Sequence, residues 1–284
     1  MRRDKEVMDQ LLAFATADAR VRAVVQNGSR VNPRVVQDLF CDYDIIFFVT
    51  EPKSFLLDQE WIGPLGRLVM LQQNDIHQQE EEYYIFLMQF EDGVRIDLSF
   101  RQAESARWCL TDSLTLPLLD KDGILPDLPA PDDRTYQTAK PDRKRFDATI
   151  NDIWWCSAYV AKGLWRDELP YAKYMLDVVI RNGVVELLSW YASAEKSWQL
   201  NVGKAGKWLK RELPPEVWEA FERTYAGAGE EENWEALLEV NSLVRRVGVE
   251  LAEQLGYDYP YEDDRRMTAF LQRIRSLDKG AMDM

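Results

Sequence analysis

The chain has 284 residues, 46% of them hydrophobic, which is enough for one large core or two ordinary ones. Its formal net charge of −14 disfavours long polynucleotides and anionic lipid as partners and favours a polycationic small molecule. A single histidine, His77, and three scattered cysteines, Cys41, Cys109 and Cys156, argue against a histidine-based metal centre, a Ser-His-Asp triad and a disulfide framework.

The charged start MRRDKEVMDQ lacks the apolar stretch of a signal peptide, and no run is long enough to span a bilayer, so the expectation is a cytoplasmic protein with no membrane partner. Residues 4–18 place Val7, Leu11, Leu12, Phe14 and Ala15 near one helical face. Strands are predicted at 21–28, 42–50, 67–73, 83–90 and 94–100, the second being the richest in β-branched and aromatic residues. Glu91-Asp92-Gly93 between the last two predicts a hairpin. A short helix is expected at 54–61, and the acidic run Glu80-Glu81-Glu82 reads as an exposed loop. Prolines 126, 129 and 131 with Gly123 mark 120–142 as a linker. Beyond it, helical spacing predicts helices at 143–166, 168–181, 183–198, 215–225, 231–255 and 263–277. The expected fold class is α+β. An α/β-type N-terminal domain with a mixed sheet (1–135) precedes an all-helical C-terminal domain (136–284), with the cleft between them as the default ligand site.

The chemistry gathers around two segments, Asn27-Gly28-Ser29-Arg30 and the strand opening Asp42-Tyr43-Asp44. Gly28 lets backbone come close to an anion, Ser29 adds a hydroxyl, and Arg30 offers a planar cation for phosphate oxygens. Alternation along a strand puts Asp42 and Asp44 on one face and Tyr43 and Ile45 on the other. In the later strand Arg95, Asp97 and Ser99 share a face. If the two strands are neighbours, three carboxylates converge, and hard divalent cations would relieve their repulsion.

The set Gly28-Ser29, Asp42-x-Asp44 and Asp97 resembles the signature of the DNA polymerase beta-like nucleotidyltransferase superfamily. A longer collinear resemblance, through DYDIIFFVT, FEDGVRIDLSF, LLDKDGILP, WWCSAYVAKGLWRDELPYA and NVGKAGKWLKREL, is to the aminoglycoside 6-adenylyltransferases. The resemblance implies ATP as co-substrate, two Mg2+ ions on Asp42, Asp44 and Asp97, and transfer of AMP to a hydroxyl of an aminoglycoside. The implied acceptor is the 6-hydroxyl of streptomycin, and pyrophosphate is released. Asp97 is the expected orienting group and proton acceptor. Gly28, Ser29 and Arg30 are expected at the triphosphate, and Lys162, Lys204 and Lys207 are candidate phosphate cations from the helical half. Trp154, Trp155, Tyr159, Glu168 and Tyr171 are candidates for holding guanidinium groups. Another hydroxyl acceptor, or a catalytically silent nucleotide-binding protein on the same fold, are the alternatives. The charge disfavours a nucleic-acid polymerase.

Overall fold

The computed structural model describes residues 1–77 and 81–283. The chain forms two compact units, Met1–Thr135 and Tyr136–Met284.

In the first unit, helix α1 (Asp4–Ala17) leads into β1 (Val21–Asn27), β2 (Tyr43–Val49), α2 (Pro52–Leu57), β3 (Leu68–His77), β4 (Glu82–Phe90), β5 (Arg95–Gln102), α3 (Ala106–Cys109) and β6 (Thr115–Asp120). The six strands form one sheet in the order β3-β4-β5-β2-β1-β6. Among the described residues only β2 and β5 run parallel; the other neighbours are antiparallel. Such a mixed sheet follows from the connections, since β4 and β5 share the Asp92-Gly93 hairpin whereas β5 reaches β2 only by a crossover. Gly93 takes the left-handed conformation this turn needs, at φ 86°.

Side-chain alternation sorts the two faces of the sheet. Tyr43, Ile45 and Phe47 of β2, with Ile96, Leu98 and Phe100 of β5, are buried on the face that carries Val7 and Leu11 of α1 and Phe55 of α2. Aromatic rings dominate this core, with Phe55 stacked on Phe100 at 4.1 Å between centroids and Trp61 set edge-on to Phe86 at 5.0 Å. Among the described residues the opposite face carries a smaller apolar cluster, centred on Ala23, Val25, Phe48 and Ala106, and it also presents Asp44 and Asp97.

Three sequence expectations differ from this unit. Strand β6 was not anticipated, because Pro117 interrupts its pattern. Proline is tolerated there because β6 is an edge strand paired only with β1. The expected helix at 54–61 begins earlier, with Pro52 in its first turn, and gives way to a 3-10 segment, Glu60–Leu65. In the acidic run, Glu80 lies outside the described residues, and Glu81 is not exposed: its side chain is 1% accessible and pairs with Arg101 through a two-pronged contact. Arg101 also lies over the Tyr83 ring, at 4.4 Å. Removing one member of so buried a pair strands the other, so Glu81→Ala is expected to cost about 3–5 kcal/mol of stability in urea denaturation. A loss below about 1 kcal/mol would show that the pair behaves as an exposed one.

The second unit is helical: α4 (Arg143–Trp165), α5 (Leu169–Tyr174), α6 (Arg181–Ala194), α7 (Leu209–Glu212), α8 (Pro215–Arg223), α9 (Glu230–Leu255) and α10 (Tyr261–Ser276). Asp142 caps α4 by accepting from the Arg145 amide at 2.7 Å. The expected break near residue 182 is absent, since α5 continues through a π-helical turn, Met175–Ile180, into α6. Gly183 is a packing glycine: a Cβ there would lie 2.9 Å from Cγ1 of Ile153. Gly256 ends α9 in the left-handed conformation, φ 71°. Phe146, Ile150, Ile153, Val240, Val244 and Leu251 belong to one continuous core. Among the described residues no helix is long and apolar enough to cross a membrane.

Candidate active site

The parallel pairing of β2 with β5 sets Asp44 directly opposite Asp97. Asp42 stands one residue before β2, and the Arg95 guanidinium ties the group together: it lies 3.6 Å from the Asp42 carboxylate and 2.8 Å from that of Asp97. The three predicted carboxylates therefore share a neighbourhood, and an arginine two residues before Asp97 occupies it with them. That arginine was visible in sequence as a same-face neighbour of Asp97, but its engagement with both carboxylates was not.

Gly28 closes the site from β1. Its φ is 79°, and a Cβ built on it would fall 2.1 Å from Oδ2 of Asp44. Only a residue without a side chain lets the turn meet the carboxylate this closely. Ser29 opens a 3-10 turn, Ser29–Val31, held by the Val31 amide donating to the Gly28 carbonyl at 3.3 Å. Asn27, opposite Asp44 across β1 and β2, donates to Thr115 at 3.0 Å and to Asp112 at 3.5 Å. Its side-chain carbonyl oxygen is buried without a hydrogen-bond donor among the described residues. Asn27 opens the glycine segment noted in the sequence but carries no expected role there, and nothing in the sequence marks Asp112.

Arg30 is already engaged. It donates to Asp4 at 2.8 Å and to the Cys41 carbonyl at 2.9 Å, and stacks on the Tyr43 ring at 3.7 Å. Tyr43 points away from Asp44, so this guanidinium braces the apolar side of the strand.

The electrostatics of the site are unbalanced. Burial first, then the charges of Asp97 and Asp42, push the Asp44 carboxyl up to about 6; Arg95 opposes them. Among the described residues no three acidic, histidine or cysteine side chains are already drawn to metal-ligating spacing. The donor set nevertheless fits a hard divalent cation. It consists of carboxylate oxygens, one of them crowded and desolvated, beside an orphaned amide oxygen, with a single arginine against three acids.

The helical-unit candidates occupy different places. Lys162, on α4, lies 5.8 Å from the Phe270 ring of α10. Lys204 belongs to a tight turn, Lys204–Gly206, between two left-handed glycines, and Lys207 sits 5.0 Å from the Trp208 ring. Trp154 is buried and donates to the Tyr259 hydroxyl at 3.2 Å, which makes it part of the core. Trp155 is 59% exposed. Tyr171 is also exposed, and Glu168 is the residue preceding α5.

The family model of the streptomycin adenylyltransferases matches residues 1–274. An aminoglycoside 6-adenylyltransferase of Bacillus subtilis (strain 168) is 34% identical to the chain, over 93% of it and 95% of the relative. One from Campylobacter jejuni is 35% identical, over 93% of each. The crystal structure of an aminoglycoside 6-adenyltransferase from Bacillus subtilis superposes with a TM-score of 0.50 at 29% identity, covering 98% of this chain and all of that one. A match of this length, reaching through both units, with paired carboxylates and a glycine turn in place, shows that the chain belongs to the streptomycin adenylyltransferase family of nucleotidyltransferases.

Proposed function

We propose that this enzyme transfers AMP from Mg-ATP to the 6-hydroxyl of streptomycin and releases pyrophosphate. The observation that carries this reading is the alignment of Asp44 with Asp97 under the Gly28 turn, within a chain whose relatives are named for this chemistry on aminoglycosides. The first unit is the catalytic domain, and the helical unit supplies nucleotide and acceptor contacts.

Asp42, Asp44 and Asp97 would hold two Mg2+ ions. When bound, these ions neutralise phosphate charge and lower the cost of bringing an anion against three carboxylates. The Gly28-Ser29 turn offers backbone N–H groups and a hydroxyl to the triphosphate. Arg30 would reach a phosphate only by releasing Asp4, so its first role is bracing the strand. Asp97 orients the acceptor hydroxyl and takes its proton as the oxygen bonds to the α-phosphorus and the bond to the leaving pyrophosphate breaks. Arg95 now pairs with Asp42 and Asp97, so cations held by these carboxylates would compete with its guanidinium for the same oxygens. The net charge of −14 suits an acceptor with two guanidinium groups.

Incubation of the protein with ATP, Mg2+ and streptomycin is expected to release pyrophosphate and to raise the drug's mass by one AMP. Chelation of the metal is expected to stop both. Turnover only with some other hydroxyl compound would overturn the choice of acceptor, and pyrophosphate release with no acceptor dependence would overturn the transfer reading.

A further inference from the structure

We propose that Asn27 is a further ligand of the divalent cation: its side-chain carbonyl oxygen joins the carboxylates of Asp44 and Asp97, and Thr115 and Asp112 are the positioning residues that turn it toward them. The inference rests on the reading of those carboxylates as metal ligands and adds a neutral donor to the set.

One level of the sheet carries a polar row. Thr115 of β6 pairs with Asn27 of β1, Asn27 with Asp44 of β2, and Asp44 with Asp97 of β5. Residues directly opposite on neighbouring strands present their side chains to one face. The row therefore lies on the face that carries the carboxylates, with Asn27 between Asp44 and the buried Thr115.

Chemistry sets the orientation of the Asn27 carboxamide. The Thr115 hydroxyl donates its one hydrogen to the Asp112 backbone carbonyl at 2.8 Å, so toward Asn27 it can only accept. The Asp112 carboxylate is an acceptor as well, and the Leu114 amide donates to it at 2.8 Å. Both groups call for the NH2 end of Asn27, which donates to them at 3.0 Å and 3.5 Å. A planar carboxamide with its nitrogen drawn to β6 turns its oxygen away from β6, to the side of β1 where Asp44 stands.

That oxygen is buried and meets no donor among the described residues. Buried acceptors are seldom left in this condition. An ionised Asp44 cannot satisfy it, because two acceptors repel. A hard divalent cation satisfies both, since such ions accept asparagine carbonyl oxygens alongside carboxylates. The amide suits this place for a second reason. It adds an oxygen to the coordination without adding negative charge to a site where Asp42 and Asp97 already crowd Asp44. The hydrogen bonds to Thr115 and Asp112 hold the donor group in place before the ion binds, as outer partners of metal ligands commonly do.

Mn2+ serves as the probe, titrated alone into the full chain and followed by electron paramagnetic resonance. Asn27→Ala should weaken its binding about tenfold or more, and Thr115→Val, which keeps the shape but not the acceptor, should weaken it in the same direction. Circular dichroism checks that each variant is folded. The unsubstituted chain, labelled with carbon-13 at the asparagine side-chain carbonyl, should show a carbon coupling to the bound Mn2+ that Asn27→Ala lacks. A role confined to bracing β1 against β6 would not give that signature. The coupling is read on the unsubstituted chain, so a variant that fails to fold does not shield the proposal. Two results overturn it and leave the carboxylate reading standing. One is Mn2+ binding that is lost in Asp44→Asn yet stays within about twofold of the parent in Asn27→Ala. The other is a parent spectrum without the coupling. Mn2+ binding that survives Asp44→Asn unchanged overturns both readings.

Discussion

Asp44→Asn is expected to lower AMP transfer by about a thousandfold or more, some 4 kcal/mol of transition-state stabilisation, while making the metal-free protein more stable. Both effects have one origin. Asp44 sits across from Asp97 and against the Gly28 turn, where burial and the neighbouring carboxylates raise its carboxyl from the ordinary 3.8 to about 6. The unfolded chain therefore ionises this group more readily than the folded one does. Its contribution is intact below about pH 4 and is lost as the pH rises through about 6, so the ionised form destabilises the metal-free fold at neutral pH. The uncharged amide removes that burden, worth roughly 1–3 kcal/mol, or about 2–4 °C in Tm for each kcal/mol. Thermal melts in chelator, at pH 4 and pH 7, read the difference directly. Adding Mg2+ should recover stability in the parent and much less in the variant. A variant that melts lower at pH 7 in chelator, or that keeps near-parental turnover, would refute the placement of Asp44 at the centre of the site.

Gly28→Ala should damage the same site from the other side. The new methyl would lie 2.1 Å from the Asp44 carboxylate oxygen, and the residue would also have to hold φ at 79°. Backbone at φ 79° and ψ −154° is nearly closed to side-chain-bearing residues and costs one about 1–3 kcal/mol. Relief of the overlap then moves either the turn or the carboxylate, and a displacement of about 1 Å is sufficient for a hundredfold loss of rate. Gly123→Ala is the matched control. Gly123 has φ 65° with nothing within 4 Å of the added methyl, so it incurs only the conformational cost and should leave kcat unchanged. Equal losses of activity in the two variants would mean that the close approach of Gly28 to Asp44 has no catalytic weight.

Much of this neighbourhood was legible in the sequence because strand alternation is a strict rule. Tyr43, Ile45 and Phe47 had to share a face, which left Asp44 on the other, and the Asp-Gly turn announced the hairpin that carries Asp97. Pairing between distant strands has no comparable signal. The level pairing of Asp44 with Asp97 depends on a crossover, and only the folded sheet displays it. Glu81 was misread for a related reason: an acidic triplet looks solvated until Arg101, from the neighbouring strand, is brought against it. Pro117 hid β6 because an edge strand tolerates what a central strand would not. Arg30 carries the chemistry of a phosphate ligand, but its posture depends on Asp4, a residue from another element altogether. The missing helix break at Gly183 shows that a glycine can mark contact with Ile153 as readily as a change of direction.

The parallel pairing of β2 with β5 also divides the first unit into positions where length matters and positions where it does not. Everything from Thr50 to Val94 leaves one strand of the pair and returns to the next, so it is an excursion whose length does not set the level of the two aspartates. Residues added in the turns of that excursion leave Asp44 facing Asp97. One residue added or lost inside β5, ahead of Asp97, would instead turn that carboxylate into the aromatic layer and send Ile96 or Leu98 to water. Inserted tags and loops should therefore be tolerated in the turns of the excursion and not in the two short strands that bound it.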